Sequence, residues 1–576
     1  MPRKKYTYAK VTASQSELIT ERSEWEAEWR QISDYLLPGR GIYQTYNKPR
    51  KRKLTTPNII NSVGEDSLTV LTSGMHGRLT SPAMPWFRLS WGDGRLNVIE
   101  QTKAWLQQAG DLLHKGLHIS NFYSIINSFY TEYAGFGTGS MYVGEDTYDD
   151  YIPFRFELLT AGEYAFSIGP DGKPAVYTRT IFLTPRQLVA QFPKTASKDV
   201  KLVVSENRAG ADTTYLTVLE YLIKEQYKGM DYYMIRYELS SPGSNQSNVS
   251  VPDMTKSPLS EDGFNEHPYP TARWNTIGSD TYGIGPGSRA LPDIKRLQEM
   301  EKAFLMATHK SINPPLNAPA RMKGKLNSLP GGMNYYANPQ ETVNELYQIK
   351  FDYQGVSAAV ERVEERIQRN FYNDVFLTAT RDPNASPLKA TQVIAQEQEK
   401  MFRLGPVVER LGSEFFTPII GRSFHIMHRK GMFPPLAPEF EDAIEDMTIT
   451  LISPMAIAQR TVKSQGVDAF MGFIGQAAQF DPTIVDNLDS DEAARQRADI
   501  EGVDIGILRP EAEVKKIRDD RAKAEAREQQ KQDALTAQNM QNETGPAGAT
   551  TRKTNAEAGQ VLAETQLTAQ QSGLLQ

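Results

Sequence analysis

Apolar residues recur near helical spacing through much of the first third of the chain. Residues 17–37 follow this period until Pro38, which predicts a helix that ends there. Residues 58–80 and 98–134 show the same spacing and predict further helices. Between them, the apolar residues of Trp86–Trp91 alternate with polar ones and predict a short strand.

Short runs of alternating apolar and polar residues fill the stretch 140–240. Such runs favour antiparallel strands, so the first half of the chain is expected to be α+β. A polar, turn-rich loop is predicted over 240–264. After it, Tyr282–Pro315 opens with a glycine and proline elbow and continues as a helix with one apolar face.

Two helices with an insertion between them are predicted in the middle of the chain. The first follows the glycine and proline elbow, and the second covers about 355–375 with its apolar residues in register. Residues 313–354 are rich in proline and weakly strand-like, which predicts a small β insertion. The helical pattern breaks at 380–387, TRDPNASP, where we expect a flexible loop.

The longest helical pattern of the chain runs from Leu388 to about Lys430. Pro406 and Pro418 each remove a backbone donor within it, and proline kinks so strong a pattern rather than abolishing it. We therefore expect one long, bent helix. A strand is predicted at 447–453, and helical patterns continue to about residue 505.

The C-terminal region is polar. Residues 509–540 are rich in Ala, Glu, Lys, Arg and Gln, so a helix there gains little by burying itself alone. This segment is either a partly solvated helix bundled with copies from other subunits or a frayed helix. Beyond residue 541 the composition of Thr, Ala, Gly and Gln indicates a mobile tail.

The composition narrows the class of protein. The chain has 576 residues, too many for one core, and its length suggests about three or four structural units. It has no cysteine, which excludes disulfides, thiolate catalysis and cysteine-ligated metal sites. The basic N-terminus has no apolar segment behind it, and no run of about 18 apolar residues occurs. We therefore expect a protein made in the cytosol, with no membrane contact.

The charge of the chain bears on nucleic-acid binding. A net charge of -6 argues against a protein whose main task is to grip a nucleic-acid backbone. If many copies lined a channel, however, a mildly acidic wall would repel phosphates and hold DNA weakly, as passage requires. The densest basic run, Lys48–Lys53, is either a solvated loop or a contact to phosphate or a scaffold.

The histidines do not form a catalytic or metal-binding pattern. His114 and His118 lie four residues apart, but no HExxH pattern accompanies them. His425 and His428 lie among basic residues, a poor electrostatic setting for a cation. We interpret both pairs as structural and expect no metal site at either.

Two other motifs are weak candidates for ligand binding. Gly283, Gly285 and Gly287 resemble a nucleotide loop, but Ser288 stands where a dinucleotide fingerprint needs glycine, and no GxxxxGK[ST] occurs. A backbone elbow is the better interpretation. The acidic run at 145–150 is more typical of a hydrated turn than of an ion site. The sequence therefore predicts no enzyme, no catalytic residue and no cofactor.

Five blocks in the chain resemble one known family. Tyr282–Pro315, YGIGPGSRALPDIKRLQEMEKAFLMATHKSINPP, is similar to the head-to-tail connecting protein family, the portal proteins of short-tailed bacteriophages. The other blocks, in the family's order, are LTSGMHGRLTSPAMPWFRL at 71–89, ERIQRNFYNDVF at 365–376, KATQVIAQEQEKMFRLGPVVERLGSEFFTPIIGR at 389–422, and RKGMFPP followed by ITLISPMAIAQR up to residue 460. The resemblance spans roughly residues 15–505.

This resemblance implies an α+β, multidomain portal fold, mainly helical, with a β-containing wing and a small β clip, in a subunit that forms rings. The implied segments are a wing at 1–285, a first stem helix at 286–312, a clip at 313–354, a second stem helix at 355–376, a tunnel loop at 377–389, a long kinked helix at 388–431, a returning wing strand at 432–453, crown helices at 454–505, a barrel-like helix at 506–545 and a mobile tail at 546–576.

On the same basis we name candidate residues for contact with DNA in a channel. Arg381 and Lys389, at the ends of the implied tunnel loop, are the first candidates for transient phosphate contact. Arg321, Lys323 and Lys325 of the implied clip come next. For each of the five, the alternative is a solvated side chain or one paired with a neighbouring subunit.

The resemblance implies a portal, or head-to-tail connector: a ring of about twelve copies at one capsid vertex, with a channel for packaging and ejecting double-stranded DNA. Its implied partners are further copies of itself, the terminase large subunit, a tail adaptor, the major capsid protein, a scaffolding protein and internal core proteins. The implied location is the virion, assembled in the host bacterial cytoplasm. The alternatives are another head-tail structural protein, such as an adaptor or scaffold, and, less well supported, a packaging enzyme.

Overall fold

The computed structural model describes residues 6–41, 59–92, 99–146, 151–208, 211–239, 257–327, 352–376, 403–452, 470–478 and 511–544, with isolated positions and short stretches elsewhere. The chain divides into two compact units, Met1–Val485 and Asp486–Gln576. The first unit contains the elements that position the candidate site.

Among the described residues, helices contain more of the chain than strands do. Those of the first unit are α1 (Tyr8–Tyr35), α2 (Val63–Leu79), α3 (Glu100–Ile119), α4 (Phe122–Phe136), α5 (Pro185–Gln191), α6 (Lys198–Ser205), α7 (Pro286–Ile312), α8 (Tyr353–Asn370), α9 (Asn373–Phe376), α10 (Gly405–Leu411) and α11 (Thr417–Arg429). The five residues Gly412–Phe416 between α10 and α11 form a π-helical turn. The second unit contains α12 (Glu511–Thr544).

The strands form small antiparallel sheets. They are β1 (Phe87–Trp91), β2 (Thr138–Glu145), β3 (Phe154–Leu159), β4 (Tyr164–Ile168), β5 (Pro174–Leu183), β6 (Leu216–Tyr227), β7 (Met230–Leu239), β8 (Ser260–Phe264), β9 (Thr271–Arg273), β10 (Leu316–Asn317), β11 (Asn344–Glu345) and β12 (Met447–Leu451). The sheet orders are β3-β2-β9, β4-β5-β6-β7-β8, β1-β12 and β10-β11. Helices and sheets in one unit make the fold α+β.

The core of the first unit is built around α4. This helix has aromatic residues on nearly every turn, and Phe122 and Phe129 are fully buried. The ring of Phe129 stacks on Phe415 with 3.7 Å between centroids, and Phe122 stacks on Trp86 at 5.9 Å. Because each such ring removes much apolar surface from water, burial of each stabilises the fold by about 1.5–3 kcal/mol.

The sequence predictions for most elements are confirmed. The helix expected from the glycine and proline elbow is α7, and the strand expected after residue 446 is β12. β12 pairs with β1, with Phe87 opposite Leu451 and Trp91 opposite Met447. The small β insertion is also present as β10 and β11.

Three predictions need correction. The predicted loop 240–264 ends in a strand, because β8 pairs with β7. The helix expected over 355–375 is interrupted where Tyr372 adopts a left-handed backbone with φ of 55°. In the described part of the predicted long helix the α-helical pattern is interrupted by the π turn, and Pro406 lies in the first turn of α10; residues 388–402 lie outside the described residues. Proline fits that first turn because its missing N–H has no partner there in any helix.

The polar C-terminal segment is helical, which does not distinguish the bundled helix from the frayed one. The described side chains of α12 are nearly all exposed, and Arg518 donates to Asp491 at 2.6 and 2.7 Å. Residues 470–477 are also helical. Among the residues that the structure describes, no helix is both long and apolar enough to cross a membrane.

Candidate functional site: a helical hairpin and its basic tip

α7 and α8 form an antiparallel hairpin that carries the residues 313–352 at its end. Near the start of α7, Asp293 accepts a hydrogen bond from Arg366 of α8 at 2.5 Å. Near the other end, the rings of Phe304 and Tyr353 lie 5.1 Å apart. The two contacts join early α7 to late α8 and late α7 to early α8, which fixes the antiparallel arrangement.

The hairpin begins at the glycine elbow, which packs backbone against backbone on the end of α4. A Cβ atom placed on Gly283 would lie 2.3 Å from the carbonyl oxygen of Gly137, and one on Gly287 would lie 2.2 Å from that of Gly135. A Cβ atom on Gly285 would lie 2.6 Å from the carbonyl oxygen of Ala134 in α4. No side chain fits at these distances, so the glycines allow two chain segments to cross. The interpretation of this motif as an elbow is confirmed.

A polar clamp from the start of α2 holds the base of the hairpin. The buried Gln298 of α7 accepts from the backbone N–H groups of Ile60 and Asn61 at 2.6 and 2.9 Å and donates to the Asn61 carbonyl at 2.9 Å. The Asn61 amide also donates to Glu301 of α7 at 3.1 Å and to Glu364 of α8 at 2.8 Å. One short segment therefore ties both helices together.

The hairpin becomes more exposed towards its tip. Ala290, Leu291, Ile294 and Leu297 of early α7 are buried in the core. Further along, Leu305 is 44% exposed, Met306 is 52% exposed and Ile312 is 78% exposed. A row of apolar side chains that meets water in one chain is typical of a surface that contacts another molecule.

The tip is a small, open structure with little core. β10 and β11 pair through Leu316 opposite Glu345, and the Asn334 amide donates to the Asn327 carbonyl at 2.8 Å. Its large apolar side chains are exposed, with Leu329, Met333 and Tyr335 all above 70%. The tip therefore offers both apolar and polar groups to a partner.

The structure places two of the five candidate DNA contacts. Lys323 and Lys325 are exposed on the tip, on either side of Gly324, whose φ is 79°. Arg321 lies in the 3-10 turn Ala320–Met322, but its side chain is outside the described residues. Arg381 and Lys389 also lie outside the described residues. The two lysines are thus together at the tip, far along the hairpin from its buried base.

The histidines and the acidic run have structural surroundings. The His114 ring stacks on Phe87 with 3.9 Å between centroids, and burial lowers its pKa. The Asp146 side chain accepts from the backbone N–H of Asp149 at 3.2 Å, as in a polar turn. Within the described residues, no group of three or more histidine or acidic side chains is arranged to hold a metal ion.

The sequence did not predict the polar side chains that attach residues 405–429, which form α10, the π turn and α11, to the rest of the unit. Arg422 of α11 is buried and donates to the carbonyl of Val143 at 2.7 Å and to Glu266 at 3.1 Å. Glu414 of the π turn accepts from Arg273 at 2.7 Å. One signal was visible in the sequence: Arg422 and Glu414 each lie among apolar residues of a helical pattern. A charged side chain that is buried there must be paired.

Comparison with known proteins gives the family. Residues 9–508 match the family described as bacteriophage head to tail connecting protein. The chain is 32% identical over 527 residues to a protein named "Probable portal protein" from Bordetella phage BPP-1, covering 89% of this chain and 91% of that protein. It is 30% identical over 523 residues to the "Portal protein" of Salmonella phage epsilon15, covering 88% and 90%. The chain therefore belongs to the bacteriophage head-to-tail connecting protein family, the family of phage portal proteins.

Proposed function

We propose that this chain is the ring-forming portal subunit of a tailed phage. About twelve copies would surround a channel at one capsid vertex, through which DNA is packaged and later ejected. The family match over residues 9–508 is the observation that carries this proposal. When the same contact between neighbouring copies repeats until the ring closes, a central hole is left. A channel formed in this way requires no chemical reaction by the subunit.

We further propose the portal segments for the elements described above. α7 and α8 are the two stem helices, and the tip between them is the clip. The wing comprises the chain before α7 together with the returning strand β12, and the pairing of β12 with β1 supports this grouping. The tunnel loop at 377–389 and most of the crown at 454–505 lie outside the described residues.

The exposed side chains of the hairpin support assembly into a ring. Leu305, Met306 and Ile312 meet water in a single chain, and contact with a neighbouring copy would cover them. In a ring, one face of each hairpin meets a different face of the next, so no two-fold symmetric patch is required. The subunit number of twelve follows from the family resemblance alone.

The partners that we propose follow from the position of a portal. The clip meets the terminase large subunit and the tail adaptor, while the major capsid protein, a scaffolding protein and internal core proteins contact the other faces. The exposed apolar residues of the tip support a docking surface there. The protein would be a virion component without enzymatic activity. The family match does not favour the alternatives of an adaptor or scaffold of the head-tail region or of a packaging enzyme.

Negative-stain imaging with mass measurement of the purified chain tests the ring. We expect rings with a central hole and about twelve copies. If the chain is monomeric alone, the phage's scaffolding protein should convert it to rings. A chain that stays monomeric with that protein present would contradict the proposal, and a small adaptor-like ring that binds to a separate portal would favour the alternative.

The lysines of the tip provide a test of DNA contact. We expect the double change Lys323→Gln and Lys325→Gln to reduce the salt dependence of DNA binding to assembled rings, because each phosphate contact adds about one unit to the slope. Lys194→Gln with Lys198→Gln, two exposed lysines near α6, is the matched control. An unchanged slope in the tip variant would show that these lysines do not contact phosphate.

A further inference from the structure

Five arginines line the groove between α7 and α8 near the base of the hairpin. The pair of Asp293 and Arg366 sets the antiparallel register of the two helices, and the contact of Phe304 with Tyr353 agrees with it. This register places the other four arginines in two rows, one on each side of that pair: Arg289 with Arg369, and Arg296 with Arg362. Each of the four lies three or four residues along its helix from the pair, so all of them lie on the same side as the pair.

This arginine groove carries more positive charge than the single chain neutralises. All five arginines are exposed. Two of them are paired: Arg366 with Asp293, and Arg369 with Glu365 at 3.3 Å. The other three form no ion pair within the part of the chain that the structure describes. Glu299 and Glu361 lie more than about 100° further round their helices and do not face the groove. The groove therefore favours an anionic partner.

A surface of the opposite sign lies on α1. Its acidic stripe consists of Glu17, Glu21, Glu24 and Glu28, which recur at intervals of four, three and four residues and so lie on one side of the helix. The first three are exposed and the fourth is partly exposed. Among the described residues none of the four forms an ion pair, although Glu21 accepts a hydrogen bond from Thr281 at 2.8 Å. Carboxylates at this spacing repel each other, so the stripe favours a cationic partner.

The two surfaces match in length but do not meet within one chain. The acidic stripe extends about 16 Å along α1, and the two arginine rows lie about 10 Å apart along the hairpin, so one stripe can meet both rows. The helix α1 is fixed in the core by Trp29 and Ile32, and the start of α7 is fixed there by Ile294. Because buried helices hold both surfaces in place, the stripe and the groove can meet only between two copies of the chain.

We propose that the arginine groove of one copy receives the acidic stripe of the next copy. This contact rests on the proposed ring-forming function and names the two surfaces that meet. The stripe and the groove are different surfaces, so the contact is heterologous and repeats from copy to copy until the ring closes. Opposite charges across an interface select the partner and the register, because a wrong alignment places like charges face to face.

The rival occupant of the groove is the phosphate backbone of a nucleic acid, which arginine also binds. Phosphate in the groove would leave the acidic stripe of α1 without a partner. A second copy neutralises both surfaces in one contact, and it is therefore the occupant that the two surfaces together favour.

Charge reversal of each surface in the full chain tests the contact. The stripe variant carries Glu17→Lys, Glu21→Lys and Glu24→Lys, and the groove variant carries Arg289→Glu, Arg296→Glu and Arg362→Glu. Sedimentation velocity and negative-stain imaging measure ring formation under the conditions in which wild type assembles. We expect each variant alone to require at least about a hundredfold more protein to assemble, because like charges then face each other. The variant with all six changes should assemble as wild type does.

An equimolar mixture of the stripe variant and the groove variant gives a sharper test. In a ring where the two alternate, every contact joins either two unchanged surfaces or two reversed ones, and both combinations attract. We expect such a mixture to form rings that contain the two variants in equal numbers. The matched control changes the net charge by the same amount as the stripe variant, through three exposed carboxylates elsewhere, and should assemble as wild type does: Asp111→Lys, Asp231→Lys and Glu409→Lys.

Two results would overturn the proposal while leaving the ring in place. In the first, either variant alone assembles as wild type does; weaker DNA binding by rings of the groove variant would then assign the groove to phosphate. In the second, neither the mixture nor the variant with six changes assembles, although each keeps the circular dichroism and thermal midpoint of wild type.

A variant that loses its fold is replaced by one with Gln at the same three positions, for which we expect a smaller loss of assembly, about tenfold. Wild-type chain that stays monomeric with the scaffolding protein present would contradict the ring itself, and the contact with it.

Discussion

Replacing Gly287 by Ala should severely destabilise the first unit. A Cβ atom at this position would lie 2.2 Å from the carbonyl oxygen of Gly135, 2.9 Å from its carbonyl carbon and 3.0 Å from its Cα. These are backbone atoms of α4, which cannot rotate away as a side chain would. Relief of the overlap requires the start of α7 and the end of α4 to separate by about 1 Å, which breaks close packing in the core.

The expected change in the free energy of unfolding is the difference between the cost of overpacking and the gain from restricting the unfolded chain. Overpacking of a rigid core site costs about 1–3 kcal/mol, and more where backbone must move. The added Cβ restricts the unfolded chain and returns about 0.4–1 kcal/mol. Because backbone must move here, the cost lies at the upper end of that range, and we expect Gly287→Ala to lower the free energy of unfolding by about 2 kcal/mol.

Urea unfolding followed by tryptophan fluorescence measures this loss. All six tryptophans lie before residue 275, so the signal reports the first unit. Gly77→Ala is the matched control, because nothing lies within 4 Å of a Cβ at this exposed position inside α2. It should stabilise the unit by about 0.5–1 kcal/mol. A Gly287→Ala variant within about 0.5 kcal/mol of wild type would refute the close crossing.

Two further predictions concern the base of the hairpin and the sheet behind it. Gln298→Ala should lower the free energy of unfolding by about 2 kcal/mol, because the N–H groups of residues 60–61 lose their acceptor, whereas the exposed Glu299→Ala should change it by less than about 0.5 kcal/mol. Burial, and to a lesser extent the charge of Arg422, lowers the pKa of His267 to about 3. Below about pH 6.5 the unfolded chain binds a proton at this histidine and the folded chain does not, so the unit should lose stability as the pH falls below that value. His267 is partly exposed but its Nε2 is buried, and we expect a loss of about 1–2 kcal/mol at pH 5. In urea titrations at pH 7 and pH 5, His267→Asn should remove this difference and His118→Asn should keep it; an unchanged pH dependence in His267→Asn would contradict the assignment.

The sequence was most informative where local rules decide the structure. The helix α7 begins at Pro286, directly after a glycine, and ends before two prolines, so local signals marked both of its ends. α5 also has a helix-start signal in its sequence, but it lies within a region whose alternating pattern predicted strands. Thr184 and Gln187 form a capping box at its start, a spacing that is visible in the sequence.

The remaining features depend on contacts between distant segments. β1 and β12 pair across some 360 residues, and nothing in either strand specifies the other. The π turn was missed because each interval of three or four apolar residues fits an α-helix, and only the accumulated drift over several turns shows the extra residue. Exposure of Lys323 and Lys325 could be expected from their charge, whereas their place at the end of a hairpin required the fold.

The attachments of the hairpin explain how a long, exposed element can keep a fixed direction. Its apolar contacts with the core end near Leu297, and beyond that point it gains little from burial. Direction is instead set at the base, by the elbow on α4, the clamp at Asn61 and the ion pair of Glu414, which come from three distant parts of the chain. Because hydrogen bonds and close backbone crossings are directional and apolar contacts are not, such a base can orient a hairpin whose outer half remains free for partners.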